Sequence, residues 1–514
     1  MRKILFSILM VSSVASFAQS PEDGLRLSWF APNGTARSNA LGGAMGSLGG
    51  DVSSNHINPA GLGFYTKSEL LLVPKYLVNN NSFSFRGTPS SSNDSKSSLG
   101  SIAVVFADGR SINRWTSSAF SISFTQLADY NNHINYSGKN NFSSLSEKYL
   151  EELVADRADT NSALNNYIYG SSLAFRTYLV DTSADAAGNV NGYQSLVPIS
   201  TGVMQKYDAY TSGSYNELAF GWAGNLENKL YLGASVVMPM INYNRSTQYS
   251  ETDLPSQDGT PNTNNYFGGF VLNENFSSKG WGLGAKLGII YKPESFLRLG
   301  FTIHTPQLIT LRDKISADMT TNTEKYAGVQ SASSNDLNDG YPGIREYTIA
   351  TPLKTIFSGS YFFAQPNKPS QPLGFISADL EWVNYTGTHY YANTYDQAST
   401  DYYDALNSTI KAAYKNNVNI KVGSELRLTG NWMARAGFAY YGTPYKDETI
   451  KASRVVLSGG FGYRSNNHFI DFTVSNTNTK DALFPYRLND KPNTYANYTG
   501  SQLMFNIGYG IKFN

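Results

Sequence analysis

The sequence predicts an all-β fold, a transmembrane antiparallel β-barrel of about 14 strands with an N-terminal hatch, or plug, ahead of the first strand. Three observations predict it. Side chains alternate apolar and polar with a period of two, short turns alternate strictly with long polar connections, and the composition is poor in charge but rich in Tyr and Gly. Only 15% of residues are charged, the formal net charge is +1, and there are 36 Tyr, 28 Phe and 45 Gly. A near-zero charge offers no electrostatic case for nucleic acid. Beyond the first residues no apolar run approaches the ~18 residues of a spanning helix.

The chain opens on an export signal over residues 1–18. Arg2 and Lys3 supply the positive start, residues 4–14 the apolar stretch, and Ser16-Phe17-Ala18 a small-x-small cleavage site. The chain has no Cys, which excludes a lipoprotein anchor, disulfides and thiolate metal sites. Residues 19–66 do not alternate. They carry Gly34, Gly42, Gly43, Gly46, Gly49 and Gly50, then Asn58-Pro59-Ala60-Gly61. A glycine-rich segment of this size ahead of the first strand reads as a plug, because glycine lets backbone turn sharply in a confined lumen. A flexible periplasmic tail is the plain alternative.

Residues 67–514 supply the barrel. The last strand is the clearest: Leu503, Phe505, Ile507, Tyr509, Ile511 and Phe513 alternate with Gln502, Met504, Asn506, Gly508, Gly510 and Lys512, which puts one set on each face. Trp281 to Tyr291 and Val418 to Leu428 repeat the pattern, as do segments around Phe120, Phe220, Leu232, Leu299, Phe438, Phe461 and Phe472. Weaker segments lie near 67–77, 99–107, 351–363 and 373–384. Turn chemistry marks Asp108-Gly109-Arg110, Leu226-Glu227-Asn228, Pro293-Glu294-Ser295, residues 365–372, Thr429-Gly430 and Ser465-Asn466. Long polar connections are expected near 78–98, 128–214, 244–276, 306–348, 385–416, 442–452 and 476–499. Short periplasmic turns opposite long outside loops are what an outer-membrane barrel has.

The longest loop holds one clear helical segment. Ser144 and Glu147 form a capping box, and Leu145, Tyr149, Leu150, Leu153 and Val154 make an apolar stripe at helical spacing. The stripe either packs within the loop or lines a greasy access groove for a hydrophobic ligand.

With these elements placed, the chain resembles the FadL-type (OMPP1/FadL/TodX) outer-membrane transporters. The residues that carry the likeness are Gly34-Thr35-Ala36-Arg37-Ser38, the glycines up to Gly50, Asn58-Pro59-Ala60-Gly61, and a late turn and strand from Leu428 to Tyr441 followed by Thr443-Pro444. The resemblance implies uptake of long-chain fatty acids or other hydrophobic small molecules in the outer membrane of a Gram-negative cell. It also implies a hatch that moves and a lateral opening beside a kinked third strand. The third segment here, about residues 116–127, carries no Pro or Gly to announce that kink. The expected partners are a fatty-acid-like ligand and outer-membrane lipid, with no cofactor and no metal.

Other classes fit the residues less well. Catalysis needs a base in contact with a nucleophile. His56, His133, His304, His389 and His468 sit in no such motif, and no enzyme is expected. A haem receptor needs a placed axial ligand, and no His pair offers one. A barrel that docks a protein partner, as a secretion-system component, remains the alternative, with the long loops as its surface.

Overall fold

The computed structural model describes residues 21–109, 113–255, 262, 265–365, 368–394, 396–428 and 431–513. The expected leader, residues 1–18, lies outside the described residues, as do Arg110, Thr429 and Gly430 of the expected turns.

Fourteen strands wrap into one closed antiparallel wall. In chain order they are β1 (Ser68–Phe85), β2 (Thr88–Asp108), β3 (Trp115–Asp129), β4 (Val203–Leu226), β5 (Leu230–Asp253), β6 (Gly269–Glu294) and β7 (Leu297–His304). There follow β8 (Lys354–Gln365), β9 (Lys368–Val383), β10 (Asn417–Arg427), β11 (Trp432–Tyr441), β12 (Ser453–Arg464), β13 (His468–Leu483) and β14 (Ala496–Phe513). The ring closes where β1 meets β14, from Ser68↔Phe513 to Phe85↔Ala496. Closure leaves no strand edge in hydrocarbon, where each unpaired peptide group costs several kcal/mol.

The period of two sorts the faces as expected. Leu72, Phe106, Trp222, Leu287, Phe357, Leu457 and Tyr509 are exposed on the outer face, a density of large apolar groups that water would not tolerate but lipid covers. Glu217, Lys286, Glu381, Lys421, Arg435 and Asp471 are buried on the inner face. The short turns share one end. At β4–β5, Glu227 and Asn228 both take φ 55, the left-handed pair that a type I′ hairpin turn requires.

At the other end the expected long loops are largely strand. Residues 78–98 form a continued β1–β2 hairpin, paired from Val78↔Ser95 to Phe85↔Thr88, and β4 and β5 pair along their whole length up to Val203↔Asp253. The sequence signal fails there because both faces of these arms are polar, as in Asn79-Asn80-Asn81-Ser82, so no alternation betrays them.

Several strands break and resume above the bilayer level. β3 stops at Asp129 and resumes as Asn132–Asn140, and its register against β4 shifts between Gln126 and Ala128, so the third strand is irregular here although residues 116–127 hold no Pro or Gly. β7 resumes as Leu308–Asn322 after Pro306, and Gly343–Ala350 leads into β8 across Pro352. A proline has no N–H for the ladder, which explains both of these breaks. At Tyr130-Asn131 side chains do the turning: Asp129 Oδ1 accepts from Asn131 N at 2.9 Å, an Asx-type turn.

Leu457 faces lipid near the middle of β12. Leu457→Arg is expected to destabilise the folded barrel by about 2–4 kcal/mol, read from urea titrations of the protein refolded into lipid vesicles. An unchanged midpoint would contradict a lipid-facing position.

Candidate functional site

The hatch runs the length of the lumen. Its first helix, α1 (Pro21–Arg26), lies under the outer loops, where Glu22 pairs with Arg487 at 2.5 Å. A second, α2 (Ala36–Ala40), is capped by Thr35, whose side chain accepts from Ser38 N at 3.0 Å. Two 3₁₀ turns follow, Val52–Asn55 and Pro59–Phe64. The predicted hatch motif builds the second. Asn58 accepts from Ala60 N at 3.1 Å and donates to Gly46 O at 2.6 Å and to Ile289 O of the wall at 3.3 Å. Pro59 occupies the first helical position, where its missing N–H costs nothing. Ala60 is fully buried, and a Cβ on Gly61 would collide with Ser54 Oγ.

Glycine does its work chiefly on the wall. A Cβ on Gly233 would strike the Pro59–Ala60 peptide, and one on Gly288 would strike Asn58. Gly221 faces Asn55, Gly300 faces Gly46, and Gly423 and Gly437 face Leu41 and Gly42. Hatch backbone therefore lies directly on wall backbone, and small hydroxyls tie the two together. Thr473 Oγ1 donates to Ala36 O at 2.6 Å, Ser117 Oγ to Gly63 O at 2.8 Å and Ser235 Oγ to Asn55 O at 3.0 Å.

Two buried charge networks lock the middle of the hatch. Arg37 donates to Glu425 at 3.2 Å, Arg435 bridges Glu425 and Asp471 at 2.6 Å each, and Arg464 grips Asp471 at 2.8 and 2.9 Å. In the other, Glu217 takes His56 Nδ1 at 2.6 Å and Lys286 Nζ at 2.5 Å on one oxygen and Gln307 Nε2 at 2.9 Å on the other. Burial holds the His56 imidazole below its ordinary pKa, so it is neutral near pH 7 and donates through Nδ1–H. Lys286 alone then balances Glu217. Removing one partner of such a buried pair costs roughly 3–5 kcal/mol.

Above the lock lies a cavity of about 960 Å³, lined by Leu25, Arg26, Trp29 and Phe30 of the hatch and by Tyr130, Tyr149, Tyr243 and Tyr414 among others. Of the predicted groove, Leu145 and Tyr149 line this cavity. Leu153 is buried in the loop core, Leu150 packs against that core, and Val154 is exposed. Beneath Phe30 is a smaller chamber of about 80 Å³ bordered by His56, Glu217, Lys286, His304, Glu381 and Lys421. Phe30 and Asn33 line both spaces, so Phe30 stands between them.

Sequence reasoning missed the other side of the cavity. A helix, α3 (Gln397–Ala413), packs Tyr403, Leu406 and Ile410 into the same cluster as Leu25 and Trp29. Asp396 caps it through Ser399 N at 2.7 Å. The cap Asp396 and the 403-406-410 spacing were the available signal, obscured by the Tyr, Ser and Thr content of the segment. The helix expected from Ser144 is present over Leu145–Ala155, with its capping box formed.

A family model described as outer membrane protein transport protein (OMPP1/FadL/TodX) matches residues 222–513. No curated protein sequence matches. Among solved structures, a Pseudomonas aeruginosa FadL homologue is similar at 14% identity and a TM-score of 0.55, covering 94% of this chain and 99% of its own. The P. putida toluene transporter TodX is similar at 12% identity and a TM-score of 0.52, covering 94% and 100%. At these identities the likeness shows the barrel-and-hatch fold.

Gly233→Val is expected to unseat the 3₁₀ turn at Pro59 and raise ion conductance in planar bilayers above the wild-type level. Wild-type conductance from a folded G233V barrel would mean that the seat is not where the lumen is sealed. Asn58→Ala, which removes a cap worth about 0.5–2 kcal/mol, is expected to speed proteolysis of the hatch while leaving the barrel itself resistant.

Proposed function

The chain belongs to the OMPP1/FadL/TodX family of outer-membrane transport proteins, and on that premise we propose that it takes up long-chain fatty acids or similar hydrophobic molecules through its plugged barrel. The observation that carries the reading is the aromatic-lined cavity of about 960 Å³ between the outer loops and the hatch, within the range of a small-molecule site. Burial recovers about 0.8 kcal/mol per methylene, so a twelve-carbon chain gains roughly 8–9 kcal/mol before the cost of ordering. That suffices to draw it from water. Leu145 and Tyr149, on the cavity wall, are proposed as first contacts.

Onward movement is proposed to involve the upper hatch only. The segment from Pro21 to Phe30 is held mostly by apolar packing, with Trp29 Nε1 donating to Gly442 O at 3.2 Å and Tyr130 OH to Arg26 O at 3.2 Å. The lower hatch carries the buried charge locks and stays seated. Ligand that displaces Phe30 leaves the lumen sealed to ions below. A sideways route is supported by the β2–β3 ladder, which ends at Ser101↔Thr125. Above it, side chains span the seam, with Ser90 Oγ donating to Asn135 O at 2.9 Å and Lys96 Nζ to Asn131 Oδ1 at 2.8 Å.

Uptake of a fluorescent dodecanoate analogue by cells lacking their own transporter tests the proposal. The wild type is expected to restore uptake, and Phe30→Ala to quicken it severalfold without raising ion conductance. Uptake no better than an empty vector would overturn the proposal, and a conductance rise in F30A would refute a seal below Phe30.

A further inference from the structure

Three polar side chains on adjacent strands lie in one row on the inner face and find no partner. Lys75 of β1 stands opposite Ser98 of β2 and opposite Asn506 of β14. Residues directly opposite in a sheet project to the same side with Cβ atoms about 5 Å apart. Lys75 is 3% exposed and Asn506 0%. Lys75 Nζ, both amide atoms of Asn506 and Ser98 Oγ are buried without a hydrogen bond. Lys286 and Lys421, also buried on the inner face, are each paired with a carboxylate. Asp129 attracts Lys75 without forming an ion pair with it. Its own oxygens accept from Asn131 N at 2.9 Å and from Gln126 Nε2 at 3.2 Å.

The row borders a glycine and lies below the cavity. The β1–β2 register shifts between Val73 and Pro74, leaving Gly100 as the additional residue. A Cβ on Gly100 would come 3.0 Å from Val73 O, 3.4 Å from Lys75 Cδ and 3.7 Å from Asn506 Nδ2, so the place of its missing side chain borders both polar groups. Four residues further out on the same strands, Asn79 and Gln502 line the large cavity and hydrogen-bond to each other at 2.9 Å. Ser101, next to Gly100, is the last residue of β2 to pair with β3. The row therefore lies between the floor of the cavity and the seam in the wall.

A buried ammonium without a counterion is costly unless an anion arrives. The ammonium, the Asn506 amide and the Ser98 hydroxyl offer donors from three adjacent strands, and a carboxylate accepts on about four lone pairs. We propose that Lys75, Asn506 and Ser98 form the headgroup site for an apolar carboxylic acid, its tail extending toward the cavity or the seam. The inference rests on the transport reading and deepens it, favouring acids over uncharged hydrocarbons.

The test measures binding of dodecanoate and dodecanol to the full barrel in lipid nanodiscs by calorimetry, with folding checked by heat-modifiable gel mobility. Lys75→Met is expected to weaken dodecanoate by at least about tenfold while leaving dodecanol within about twofold, and Lys75→Arg to restore most of the loss. Asn506→Leu, which keeps the cation, is expected to weaken dodecanoate severalfold and dodecanol not at all, and it carries the test if K75M fails to fold. Unchanged dodecanoate binding in the folded variants, or equal loss for acid and alcohol, overturns the headgroup site. Wild type that binds the alcohol but not the acid overturns the site and leaves hydrophobic transport standing. Binding of neither removes both.

Discussion

Direct contact between two backbones, the hatch and the wall, is the constraint on which the rest of this structure depends. A barrel lumen lined with ordinary side chains would hold a folded segment several ångströms from the strands and leave a water-filled sleeve. Here wall glycines at 221, 233, 288, 300, 423 and 437 remove that layer. Wall hydroxyls then reach hatch carbonyls directly, and the lower lumen is sealed by packing rather than by a narrow pore. The aromatic cavity, the chamber below Phe30 and the charge locks all take their positions from that seat.

The seat also explains why so much charge can be buried. Arg37, Arg435, Asp471, Glu217 and Lys286 sit in a space whose dielectric is set by protein on every side, and they are stable because each meets its opposite. Apolar residues filling the same lumen would pack as densely, but they would leave the inner wall with no preference for one hatch register over its neighbours. Charge pairs at fixed strand positions supply that preference. Above them the upper hatch meets the loops through the exposed Glu22–Arg487 pair and packs on Leu25, Trp29 and Phe30. Firmness at the bottom and looseness at the top match a segment that yields to ligand without opening a leak.

The sequence disclosed the wall better than its contents. Alternation in residues such as Leu503 to Phe513 survives because lipid and lumen impose opposite demands on successive residues. Where both faces are wet the signal vanishes, and the outer arms of β1 and β2 passed for loops. The break after Asp129 has no Pro or Gly to signal it, because an Asx turn makes it. Asn58 was visible as part of a motif, yet its reach to Gly46 and Ile289 depends on folding. The wall glycines were visible as the small member of alternating pairs, at Gly288 for example, but nothing local says what will press against them. Lys75 and Asn506 are over 400 positions apart in sequence, and only the closing pair of strands makes them neighbours.

That closing pair has a consequence for biogenesis. The hatch precedes β1 in the chain, and the ring is completed only when β14 pairs back onto β1. A plug seated on the sheet before that pairing would act as its mould. Glu425 on β10 and Thr473 on β13 meet Arg37 and Ala36 of the hatch, and Arg435 and Asp471 pair on the wall behind them. The strands that complete the ring are thus among those that hold the stopper.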